Sequence, residues 1–413
     1  MWQSNRVKYT LKELLYYTAL IIFIFRYVVL FYSQYGANVP NIVHNMCYMM
    51  VISLMLIKGV LNIGTTVIDK KVLLYLLVCF IGFFVGMQLF ELNFVGAVLL
   101  MIFAYDIDYG RIVKVACVEL SLLLIFIICS CRLNVIEDII RYKNGHPRHG
   151  LGFIYIGAAG AFYLQIVLMI MFIKRKNMNW LTCALLYLIE LVIYHFDKFV
   201  GNFLLSSILF FSFVIFIKLD WDLLEGIKKG FWKYLSVLAY PVTFACSVLL
   251  SVLHYQKRYD WLVDLDKILN GRVSIPGKVM EKYGVYFWGN NFETIGLIAM
   301  DNGADIIDYN YIDNAFLNLM IRYGIVLAVI VCGMYTLFFI YSVNIKDKMN
   351  VIWIMLILAQ SIVYSYLVNI PNNIFVILVV SSLMRTTRGY KLENYRKRRK
   401  INRCRKWKIR NII

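Results

Sequence analysis

The run LLYYTALIIFIFRYVVLFYS, Leu14 to Ser33, contains a single charged residue, Arg26. A helix needs about twenty predominantly apolar residues to cross a bilayer core of about 30 Å. The run is too long for the apolar core of a signal peptide and lacks a small-residue cleavage site, so it reads as a retained membrane helix. Similar runs recur along all 413 residues, which are 61% hydrophobic and only 16% charged. A soluble chain carries about a quarter charged residues. The sequence therefore predicts an all-α polytopic membrane protein. Spans fall near 14–33, 42–60, 72–90, 92–105, 112–131, 151–173, 179–196, 199–217, 234–253, 314–342, 351–368 and 371–384. About twelve helices place both termini on one side.

Charge patterning sets the orientation. Lys70-Lys71, Arg111 with Lys114, Lys174-Arg175-Lys176, Lys218 to Lys233, and Lys346 with Lys348 all fall on one side. The turns Gln34–Asn41, Glu91–Asn93 and Asn369–Asn373 fall on the other and lack that bias. By the positive-inside rule the first set is cytoplasmic. Most of the formal charge of +19 sits on the same side, since Arg385 to Arg410 holds thirteen Lys and Arg against Glu393 alone. On a membrane protein such a tail is attracted to anionic lipid, at about 1 kcal/mol per basic residue, rather than to nucleic acid.

Four segments follow: transmembrane helices 1 to 9 over 1–253, a large outer loop or cap over 254–313, helices 10 to 12 over 314–384, and the basic tail over 385–413. The cap is far longer than a helix connection requires. Trp261, Leu262, Leu265, Ile268 and Leu269 recur in it at helical spacing, an amphipathic pattern suited to the bilayer surface. Asn270 to Gly277, NGRVSIPG, then reads as a turn-rich stretch. Eight of the nine cysteines fall in predicted spans and read as small apolar filler. No metal-ligand spacing is present, and no cofactor is expected.

Candidate chemistry collects on the outer side, where all five histidines lie on or near the face. In YIDNAFLNLMIRYG, Tyr311 to Gly324, residues Asn314, Asn318 and Arg322 are spaced by four and share one helix face. Arg322 would lie about 12–14 Å inward of Asp313, where a charge costs about 2.5–3.5 kcal/mol unless it faces protein or water. Glu190 and Glu119 are its candidate partners, with Arg26 competing. The outer loop Arg132–Gly150 is also basic, against the usual bias, and ends with Arg148 and His149 in GHPRHGLGF. Lys198 adds a cation at the turn His195–Phe199, and pairing with Asp197 is its simplest role. Arg148, Lys198 and Arg272 thus bring cations from three outer loops, as an anion such as a diphosphate would require.

Three pieces in this order, RHGLGF (148–153), LDKILNGR (265–272) and IDNAFLNLMIRYG (312–324), resemble the Wzy-type polysaccharide polymerases, relatives of the O-antigen ligases. Two departures stand out. IYIGAAG follows LGF where the family tends to show an HPN-like helix start, and Asp197-Lys198-Phe199 stands where many relatives show Ser-Arg. The resemblance implies a GT-C-like glycosyltransferase in the bacterial cytoplasmic membrane, with its site on the outer face. The reaction would join undecaprenyl-diphosphate-linked oligosaccharide donor and acceptor, with lipid diphosphate leaving and no metal required. Arg272, Arg148, His149, Lys198, Asn314 and Arg322 would bind diphosphate or substrate, and Asp313 or His254 would act as base. A chain-length regulator and a flippase of the same pathway would be partners. The competing readings are a lipid-linked oligosaccharide flippase or other transporter, an O-antigen-type ligase, and a membrane acyltransferase.

Overall fold

The computed structural model describes residues 10–37, 39–62, 70–143, 145–221, 229–256, 259–296 and 309–385. Apart from Arg385, the expected basic tail lies outside the described residues, as do residues 257–258 and 297–308 of the expected cap.

Helix α1 (Leu11–Phe25) opens with a capping box, in which Thr10 and Glu13 satisfy each other's backbone donors. It continues through a π-helical turn, Arg26–Phe31. There follow α2 (Asn41–Asn62), α3 (Lys70–Gln88), α4 (Leu92–Ile102) and α5 (Tyr109–Arg132). Next come α6 (Ala158–Lys174), α7 (Trp180–Asp197), α8 (Val200–Phe213) and α9 (Lys229–Tyr255). The long connection carries α10 (Asp260–Ile268) and α11 (Ser274–Tyr283), and the described residues finish with α12 (Ala315–Asn318), α13 (Ile325–Asn344), α14 (Lys348–Val363) and α15 (Val376–Arg385). Among the described residues, eight helices are long and apolar enough to cross a membrane, and Leu76–Gln88, Leu92–Ile102 and Lys348–Val363 are shorter apolar helices. This is a largely helical, multi-pass membrane architecture. Leu, Ile and Phe side chains stand exposed along α2, α5, α7 and α9, as expected where lipid rather than water is the neighbour. Helix α6 is apolar all round and largely buried, so it runs through the bundle interior. The small residues of GAAG let the α7–α8 turn close onto it: a Cβ on Gly157 would lie 2.5 Å from the Phe199 ring.

One end of the bundle is tied by ion pairs among helix ends and connections, including Lys58–Asp106 at 2.5 Å, Arg111–Glu13 at 3.1 Å and Arg175–Asp347 at 3.1 Å. The other end carries the long connection, and we call it the loop face. Departures from the expected fold collect there. The loop Arg132–Gly150 contains a two-stranded hairpin, β1 (Ile140–Lys143) with β2 (His146–His149), so the fold is not all-α; Arg141 pairs opposite Arg148. The stretch NGRVSIPG is a turn only at its start, with Asn270 and Gly271 at positive φ, and Ser274 begins α11. Finally, the expected tenth span is two pieces. Helix α12 and a π-helical turn to Tyr323 stop at Gly324, and α13 begins anew at Ile325. The last two expected spans likewise stop short of each other. A mostly buried irregular segment, Tyr364 to Phe375, separates α14 from α15. Asn373 Nδ2 satisfies the Leu367 carbonyl at 2.9 Å within it, the condition for non-helical backbone inside a membrane protein.

Candidate functional site

The break at Gly324 is closed by the long connection. Ile325 N and Val326 N donate to the carbonyls of Tyr286 and Phe287, and Asn290 N donates to the Arg322 carbonyl, at 3.1, 3.3 and 3.0 Å. These bonds take up groups that a helix terminus otherwise leaves unpaired. The fit needs glycine on both sides. Gly324 has φ +97, Gly289 has φ +91, and a Cβ on either would lie within 2.5 Å of the other strand's backbone. The Asn314 side chain caps the new short helix, accepting from Phe316 N and Leu317 N at 3.0 and 3.1 Å.

Beside this junction lies a half-buried acid–cation pair. Arg272 Nη2 is 3.5 Å from Asp313 Oδ2. Its other donors hold the Val363 and Leu269 carbonyls at 3.1 and 3.0 Å, so the guanidinium is fixed by three elements. The turn that delivers it is itself locked by Asp266, whose carboxylate accepts from Val273 N and Ser274 N at 2.9 Å each. Burial pushes the Asp313 carboxyl above its ordinary value, and Arg272 opposes that push. Arg148 arrives from the hairpin: its Nε donates to the Asp197 carbonyl at 3.1 Å, and its guanidinium lies 5.0 Å from the Phe199 ring. Tyr364 follows Val363, whose carbonyl Arg272 holds, and its ring centroid is 6.2 Å from that of Phe199, the ring against which Arg148 rests, so it links the two arginine clusters. It stacks on Tyr366, with ring centroids 5.2 Å apart.

Tyr366 and Tyr311 lead to a cavity of about 450 Å³ on the same face, bounded by α1, α2, the α3–α4 turn, α12 and residues 365–370. Its walls are tyrosines, including Tyr27, Tyr32, Tyr48 and Tyr323, interleaved with the amides of Asn45, Asn93, Asn318 and Asn369. Two arginines enter it. Arg322 hydrogen-bonds Glu91, and both side chains are about one-fifth exposed. Arg26 is 8% exposed and has no ion pair among the described residues. Its guanidinium is 4.3 Å from the Tyr48 ring and 5.3 Å from the Phe31 ring. Cation–π contacts of this kind contribute about 2 kcal/mol when desolvated, less than the several kcal/mol needed to bury an unpaired ion. Arg26 Nε has no hydrogen-bond partner, and neither has the Asn93 Oδ1 atom of another element lining the cavity.

The structure brings together Arg272, Asp313 and, through Tyr364, Arg148. It places the other candidates in structural contacts or on the surface. His254 Nε2 lies 3.8 Å from Asp266, and His149 Nδ1 lies 2.7 Å from Asp138. Asn314 serves as a cap and donates to Ser247 at 3.1 Å. Lys198 is exposed at the left-handed end of α7, while Asp197 Oδ1 accepts from Phe199 N at 2.9 Å. Arg322 pairs with Glu91, not with Glu190 or Glu119. Sequence reasoning passed over Arg26, Glu91 and the tyrosines. The available signal was Arg26 as the lone charge in its run, together with Glu91, Asn93 and Asn369 in otherwise quiet turns. No protein-family model, curated protein or solved structure matches this chain.

Proposed function

We propose that this chain is a glycosyltransferase of the polysaccharide-polymerase type. It crosses the membrane about twelve times in a GT-C-like arrangement, with both termini cytoplasmic and the loop face outward. The substrates are donor and acceptor glycans on undecaprenyl diphosphate. The observation that carries this reading is the Asp313–Arg272 pair, 3.5 Å apart and half-buried, next to a large polar and aromatic cavity. An acceptor sugar hydroxyl attacks the anomeric carbon of the donor glycan. The new C–O bond forms as the bond to the lipid diphosphate breaks, and that electron pair departs on the diphosphate oxygen. Arg272 and Arg148 balance the developing charge, and Asp313 takes the hydroxyl proton. Tyrosine and asparagine walls suit a glycan, whose faces stack on rings and whose hydroxyls bond to amides.

A second reading has its own support. Backbone breaks at Gly324 and at Tyr364–Phe375 flank the cavity, and discontinuous helices around a site are typical of transporters. One experiment separates the two. The purified protein, in liposomes, is given a lipid-diphosphate-linked repeat unit. A ladder of lengthened products supports the polymerase; transbilayer movement of the lipid with no ladder overturns it. A product formed on a different lipid-linked acceptor would mark a ligase instead.

A further inference from the structure

We infer that the cavity behind Asp313 is a subsite for a sugar bearing one negative charge, a carboxylate or a phosphodiester. This rests on the reading of the protein as a glycan-transferring enzyme, and it names the substrate class. The argument begins with the charge of the walls. Among the described residues, the charged groups lining the cavity are Arg26, Arg322 and Glu91. Arg322 and Glu91 neutralise each other, which leaves one positive charge, on Arg26. A single uncompensated cation matches a monoanion. A diphosphate would leave surplus negative charge buried there, whereas Arg272 and Arg148 offer two cations outside the cavity lining.

The position of Arg26 is also unusual in ways that a ligand would explain. Helix α1 changes from α-helical to π-helical geometry where Arg26 stands, a distortion that recurs at functional sites. Arg26 as a whole is 8% exposed and lines the cavity, and its guanidinium is held on two aromatic rings without a carboxylate among the described residues. The Nε donor is unused, and across the same cavity the Asn93 Oδ1 acceptor is unused. Buried polar groups are almost always bonded, so one missing acceptor and one missing donor describe a partner. A sugar acid supplies both: its anionic oxygens accept from the guanidinium, and a ring hydroxyl donates to Asn93. The volume of about 450 Å³ falls within the range of small-molecule sites.

The test uses the full chain in lipid nanodiscs with three soluble probes: methyl glucuronide, methyl glucoside and a glycerophosphoryl glucose. Saturation-transfer NMR and titration read their binding. At least one anionic probe is expected to bind about tenfold or more tightly than methyl glucoside, and the preferred arm identifies the anionic group. Arg26→Gln should abolish that preference, and Arg26→Lys should keep part of it. Equal binding of the three probes overturns the proposal, as does an unchanged preference in a folded Arg26→Gln protein. Asp313→Asn should leave binding intact. Anionic-probe binding without any product ladder would reject the reaction while leaving the subsite standing. A ladder from neutral repeat units with no anionic preference would reject the subsite alone.

Discussion

Gly324→Ala tests the seam on which the site depends. At φ +97 and ψ 157, position 324 occupies backbone space that is essentially glycine-only, at a cost of about 1–3 kcal/mol for any other residue. The added Cβ would also lie 2.3 Å from the Phe287 carbonyl oxygen and 2.5 Å from Gly289 N. Both are backbone atoms, which cannot rotate aside, and overpacking of this kind costs about 1–3 kcal/mol more. Relief comes by undocking the 286–290 loop, which sacrifices the three backbone hydrogen bonds that close the break, each contributing about 1 kcal/mol. The loop should therefore detach before the bundle unfolds. Hydrogen exchange of peptides containing Asn290, Ile325 and Val326 should accelerate about thirtyfold or more, the equivalent of about 2 kcal/mol. Gly333→Ala, on the same helix with nothing within 4 Å of its Cβ, is the control. It should be neutral or stabilising by up to about 1 kcal/mol. If Gly324→Ala exchanges like the parent protein, the proposed closure of the half-helix by the loop is wrong.

Four further outcomes follow from the same geometry. Asp313→Asn should lower ladder formation by about 10²–10⁴-fold in a protein that still melts normally; full activity would remove Asp313 from the chemistry. Because burial raises the Asp313 carboxyl and only its ionised form accepts a proton, activity should fall as pH falls through that raised value. Arg272→Gln removes the opposing charge, so the acid limb of its residual activity should move to higher pH; a limb that stays put or moves down refutes the pairing. Breaking the Arg322–Glu91 pair with Arg322→Met or Glu91→Gln alone should cost about 3–5 kcal/mol. The double variant should cost less than the sum, and strict additivity would show that the two side chains do not interact.

The helices were legible because each obeys a local rule. A run of apolar residues long enough to cross lipid, bounded by Lys, Asn or Asp, needs no knowledge of its neighbours, and predicted spans such as 42–60 and 112–131 end within a few residues of α2 and α5. The 314–342 span failed because its apolar pattern continues across Gly324. What stops the helix there is a loop some 35 residues earlier supplying carbonyls to the break, and hydrophobic periodicity carries no trace of that contact. Part of the same holds for Tyr364–Phe375, where the Leu367 carbonyl accepts from the segment's own Asn373 and from Tyr335 elsewhere in the bundle.

The candidate site divides along the same line. Asp313, Arg272 and Arg148 were found because charges next to water on the less basic side violate an expectation that the sequence itself sets. Arg26 violates a stronger one, a cation inside an apolar run, yet a lone buried arginine ordinarily takes a carboxylate partner, and Glu119 and Glu190 were both in reach of such a pairing. Only the folded chain shows that Glu91 goes to Arg322 and that Arg26 rests on two aromatic rings. Partner assignment is a property of three-dimensional packing, so a sequence can identify the charges but cannot say which one is left over. In this protein the leftover charge carries the most functional information, because a fold that buries a cation without a counter-ion has left a place for one.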